Sequence, residues 1–84
     1  MSFHISHSVV RRNIPPYLSK GEREVFFRVV MTGATTPDLS ASLRLQDRTV
    51  KFRLAEIYRK TGCGTRAELV ASFWRRLCGV RAIR

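Results

Sequence analysis

RLQDRTVKFRLAEIYRKTG, residues 44–62, is the stretch that decides the fold of this chain. Set its residues on a helix at about 100° each. Val50, Leu54, Ile57 and Thr61 then gather in one narrow arc, with Tyr58 at its edge. Such an arc is the signature of a core-facing stripe. Arg48, Phe52, Ala55 and Arg59 collect on the opposite side, flanked by Lys51. The spacing predicts a helix from Asp47 to Thr61, ended by Gly62. Its outward face is cationic, yet it carries a large aromatic ring. An exposed ring of this kind marks a contact surface. Base edges, a second copy of the chain and the chain's own N-terminal segment are the surfaces that Phe52 could meet.

Upstream of this helix, Thr35 or Thr36 caps a short one, and Pro37 fits its first turn, where a missing N–H costs nothing. Asp38 favours that positive end. Leu39 and Leu43 face inward, and Arg44, Leu45 and Gln46 make the turn. Further upstream, Ser19 and Glu22 have capping-box spacing. Val25, Phe26, Val29 and Val30 follow as an apolar stripe, and Gly33 ends that helix. Downstream, Thr65 and Glu68 repeat the capping box, and a last helix runs to about Leu77. It has two apolar stripes. Leu69, Phe73 and Leu77 form one. Ala67, Ala71, Trp74 and Cys78 form the other, with Val70 leaning toward it. A helix apolar on two sides needs two things to pack against.

Four helices and no strand give an all-α fold, and the short helix, tight turn and longer basic helix suggest a helix-turn-helix unit. Residues 1–16 read as a mobile N-terminal arm that ends at Pro15-Pro16, and residues 17–84 as the domain. The chain has 84 residues, enough for one small domain. A domain of this size buries only about 60% of its unfolded surface, so association with a second copy is a plausible aid to stability.

Sixteen Lys and Arg stand against six Asp and Glu, a formal charge of +10. That excess draws polyanions, with DNA the first candidate, then RNA, then an anionic membrane surface. No apolar run approaches the roughly 18 residues that a membrane span needs, and none resembles a signal peptide. The expected location is the cytoplasm. Cys63 and Cys78 read as reduced thiols, without metal-ligand spacing. His4 and His7 have no third ligand near them, so no metal or cofactor is expected. The six carboxylates offer no acid–base pair and the glycines no phosphate loop, so no enzyme is expected.

Taken together, LSKGEREVFFRVVMTG and LRLQDRTVKFRLAEIYRKTGCGTRAELV resemble the LuxR-type, or GerE-type, DNA-binding domain over about residues 18–70. The points of likeness are Glu22 to Val25, Gly33, Thr49-Val50-Lys51, Ile57 to Lys60, Gly62, and Arg66-Ala67-Glu68 with Val70. There are departures. Leu39-Ser40 replaces the family's Ile-Ala pair, and Gln46 stands where the family favours a capping Ser. Arg53 replaces a frequent His, Thr61 a Leu, and Ala55 a basic or polar residue. The resemblance implies a four-helix domain whose third helix lies in the major groove and whose fourth helix pairs with that of a second copy. It also implies a free-standing effector, because sixteen residues cannot make a sensor domain.

The chemistry of the outward face agrees. Helix-turn-helix proteins press the first residues of the recognition helix against base edges. Lys51 can donate to guanine, and Phe52 can pack on a thymine methyl. Lys51, Phe52, Arg48 and Ala55 form the base-facing set. Thr49, Arg44, Arg53, Arg59 and Lys60 form the phosphate-facing set, of which Thr49 and Arg53 lie to the side of the arc. For self-association, Ala67 and Ala71 let a partner helix approach, Trp74 offers an aromatic anchor, and Val70 and Cys78 complete the patch. Trp74 packing on the first helix or on the arm is the competing reading. The expected function is a dimeric, sequence-preferring regulator that binds double-stranded DNA. The alternatives are a protein that pairs with and modulates a larger LuxR-type regulator, and a domain like region four of bacterial sigma factors.

Overall fold

The computed structural model describes residues 6–78. Among them are five helices and no strand: α1 (His7–Arg12), α2 (Lys20–Thr32), α3 (Thr36–Leu43), α4 (Asp47–Thr61) and α5 (Arg66–Cys78). The fold is all-α, with one helix more than the sequence patterns predict. The extra one is α1, which falls within residues 1–16, the expected arm. Residues 1–5 of that arm, His4 included, lie outside the described residues, as do residues 79–84.

α1 is six residues long. A helix so short is marginal alone, and contacts from elsewhere in the chain hold it. Ser6 caps it, accepting from the Val9 N–H at 3.3 Å. Val10 and Ile14 are buried in the core. The Arg11 guanidinium lies 3.9 Å from the centroid of the Phe27 ring and donates to Glu24 at 3.0 Å. His7 meets the same ring edge-on.

The other four helices begin and end where local chemistry places them. In α2 both halves of the capping box are made. The Ser19 N–H donates to Glu22 at 2.9 Å, and the Glu22 N–H donates to the Ser19 hydroxyl at 3.2 Å. Gly33 closes α2 in the left-handed conformation, at φ 68°. Thr35, rather than Thr36, caps α3, in a second capping box with Asp38. α4 ends at Gly62, again left-handed at φ 79°. The start of α5 differs slightly from expectation. Thr65 accepts from the Glu68 N–H at 3.1 Å, but the Glu68 carboxylate takes the N–H of Gly64 at 2.7 Å.

α4 packs across α2 and α3, and α5 packs on α2. Val25, Phe26 and Val29 of α2, Leu39 of α3, Val50, Leu54 and Ile57 of α4, and Leu69 and Phe73 of α5 are all buried. The arc read from residues 44–62 is thus the one that faces inward, except that Thr61 is half-buried. Its hydroxyl donates to the Ile57 carbonyl at 2.7 Å.

Candidate nucleic-acid interface

The turn between α3 and α4 sets how the basic face of α4 is presented. Arg44 closes α3 at φ 57° and ψ 47°, the only described non-glycine residue at positive φ. That conformation crowds a β-carbon against the backbone. Ser40 holds the turn shut. Its backbone carbonyl accepts from the Leu45 N–H at 3.1 Å, and its hydroxyl donates to the Leu45 carbonyl. Ser40, a departure from the family pattern, therefore ties the turn together. Gln46 then starts α4 without any side-chain capping bond, so the first amide donors of α4 receive nothing from their own cap.

On the outward side of α4, Arg48, Lys51, Phe52, Ala55 and Arg59 are all exposed. Phe52 keeps 65% of its surface open. Of the large hydrophobic residues described, only Tyr17 shares that degree of exposure. Arg59 is held along the helix by an ion pair with Glu56. Exposed Arg44 stands just ahead of this row. Together these residues form a cationic ridge with a ring on it.

The remaining members of the phosphate-facing set sit differently. Thr49 is half-buried. Lys60 turns back toward α2 and donates to both oxygens of Glu22, at 2.9 and 3.2 Å. Glu22 is nearly buried. The Lys60 ammonium holds its carboxyl below the usual carboxylate range, outweighing the opposite effect of burial, with help from the Ser19 amide and hydroxyl. Lys60 thus has a structural partner and is not a free cation on the ridge. Arg53 is half-buried. Its guanidinium rests on Gly21, and its Nε is buried without an acceptor. Sequence reasoning missed both pairings, since helical periodicity shows the side of a helix but not its partner.

The second apolar stripe of α5 divides in two. Ala67, Ala71 and Cys78 are exposed, while Val70 and Trp74 are half-buried. Trp74 donates its indole N–H to the Val30 carbonyl at 3.0 Å and meets Phe73 edge-on. The packing of Trp74 on the predicted first helix, α2, is therefore present. Ala67, Val70 and Ala71, with Gly33 and Arg66, line an open groove beside the end of α2. Arg66 fixes one side of that groove by donating to the Gly33 and Ala34 carbonyls, each at 2.8 Å. Both cysteines are free thiols.

A short helix, a tight turn and a longer helix with a basic outer face define a helix-turn-helix domain. The profile described as "Bacterial regulatory proteins, luxR family" matches residues 16–73, and the chain belongs to that family. Membership makes it a DNA-binding regulatory protein. No curated protein and no solved structure matches it significantly. The family match begins after α1, so the helix that buries Val10 lies outside it. Among the described residues, no helix is long and apolar enough to cross a membrane.

Proposed function

We propose that the chain is a transcriptional regulator that binds double-stranded DNA as a dimer, with sequence preference, in the cytoplasm and without catalysis. The observation that carries this reading is the exposure of Phe52 among Arg48, Lys51 and Arg59 on one side of α4. α4 enters the major groove, where Lys51 and Arg48 donate to guanine edges and Phe52 covers a thymine methyl. Ala55 leaves its position without a donor, so the ring and the two cations carry the base reading. Arg44, Arg59 and Arg53 meet phosphates, which set register and carry the salt-dependent part of the affinity. Thr49 is a side contact at most, and Lys60 acts through Glu22. The groove at Ala67, Val70 and Ala71 takes the same groove of a second copy about a two-fold axis. Two α4 helices would then reach half-sites about 10 bp apart.

Selection of bound fragments from random duplex DNA, followed by stoichiometry on the enriched duplex, tests this. The expected result is a two-fold related sequence, two chains per duplex and affinity that falls steeply with salt. Failure to enrich any sequence would remove the sequence preference. Pure protein with no salt-sensitive affinity for duplexes, but stable association with a larger family member, would instead establish the modulator role.

A further inference from the structure

Gly21 stands in the first turn of α2. Glycine is the weakest helix former after proline. The backbone at this position does not call for it, because the positive φ angles lie at Gly33, Gly62 and Arg44. Space does call for it. A β-carbon at residue 21 would lie 1.6 Å from Nη1 of Arg53 and 2.7 Å from its Cζ. The planar head of Arg53 therefore rests on bare backbone.

Nothing electrostatic explains that resting place. No described carboxylate pairs with Arg53, and its Nε is buried without an acceptor. Glu22, the neighbour of Gly21, is already engaged by Lys60. The first turn of a helix also carries positive partial charge, which opposes a cation placed beside it. The contact is thus one of shape, with no described ion pair behind it. A cation seated in this way beside the outward face of α4 is organised in advance for an incoming anion, and the entropy cost of ordering a long side chain is met before binding.

We propose that Gly21 is a positioning residue of the DNA interface. Its missing side chain is the seat that fixes the Arg53 guanidinium at the flank of α4, where the terminal nitrogens take a backbone phosphate. This rests on the reading of α4 as the DNA-contacting helix. It makes Gly21 and Arg53 one functional unit, although Gly21 itself touches no DNA.

The test uses the full chain and the duplex enriched by selection, with G21A, R53A, the double variant G21A/R53A, R53K and K51A titrated at several salt concentrations. Alanine at 21 suits a helix and displaces only the end of a flexible side chain, so G21A should fold. Its affinity should fall about five- to tenfold, as for R53A, and the slope of log affinity against log salt should become shallower by about 0.9, one phosphate. The double variant should bind no more weakly than R53A. If alanine prevents folding, R53K carries the test. Lysine keeps the charge but cannot fill the seat, so R53K should lose affinity as R53A does. The proposal is overturned if G21A or R53K binds like the parent while R53A does not, or if the losses of G21A and R53A add. If K51A and R53A both bind like the parent, the DNA reading of α4 falls, and the seat proposal falls with it.

Discussion

Phe52→Ala separates binding from folding. Phe52 is 65% exposed. A fully covered Phe buries roughly 200 Å², so about 130 Å² of ring and backbone surface remains for a partner. At about 25 cal/mol per Å², complete coverage would yield at most roughly 3 kcal/mol. Base edges can cover only one side of the ring, so about 1.5 kcal/mol is the expected loss, near tenfold in affinity. The fold should scarcely notice. The ring's existing contacts are few, and alanine is the better helix former, so stability should stay within about 1 kcal/mol of the parent. Fluorescence anisotropy on the selected duplex reads the binding, and thermal denaturation reads the fold. The discrimination between the selected duplex and an unrelated one should shrink, while binding to the unrelated one at low salt should hardly change. Parental affinity for the selected duplex would take Phe52 out of the DNA interface. A fall in Tm of more than about 10 °C would mean that the ring belongs to the core, and the orientation argument for α4 would be wrong.

Arg44→Gly should raise stability while lowering affinity. Relief of the left-handed strain is worth about 1–2 kcal/mol, and the extra freedom of unfolded glycine returns about half, leaving a net gain of about 0.5–1 kcal/mol. Denaturant melts should show that gain, while the salt slope of DNA binding falls by about 0.9 if Arg44 meets a phosphate. Glu22→Gln should cost roughly 1–2 kcal/mol at neutral pH, because the ion pair with half-exposed Lys60 becomes a hydrogen bond from the ammonium to an uncharged amide. Its pH dependence has a definite sign. The Glu22 carboxyl is held below its ordinary 4.5 in the folded state. Its contribution is therefore full above the unfolded value and is lost as pH falls through the folded one. The gap between parent and variant, read from Tm, should close on acidification, and a gap that stays constant down to about pH 2 contradicts the ion pair. Ala71→Glu places a charge on the exposed stripe of α5, where it should leave Tm unchanged and yield monomers by sedimentation. An unchanged dimer would move the interface off this groove.

The helices were legible wherever their signals are local. Ser19 with Glu22, Thr35 with Asp38, and the glycines at 33 and 62 act through backbone groups within a few residues, so spacing along the chain is enough to read them. Periodicity gave the buried side of α4 for a similar reason, since Val50, Leu54 and Ile57 must share a face whatever they touch. α1 was missed because its local signal is weak. Ser6 as a cap and Val10 with Ile14 at helical spacing were present, but six residues cannot sustain a helix without the contacts to Phe27 and Glu24 that only the fold supplies.

The site was legible in outline only, and the two pairings that the sequence does not show share one cause. Arg53 and Lys60 both look like unpartnered cations in the sequence, because a basic residue beside an exposed arc has no visible partner in one dimension. Each proves to be half of a pair with the start of α2: Lys60 answers the charge of Glu22, and Arg53 answers the absence of a side chain at Gly21. These pairs lie seven residues apart on α4 but meet adjacent residues on α2. The two contacts therefore hold one flank of α4 against the start of α2. The outward side of α4 follows from the burial of Val50, Leu54 and Ile57, while the start of α2 sets where the flanking cations Arg53 and Lys60 come to rest. A pattern along one helix can show the first of these and not the second, because the partners stand on another helix.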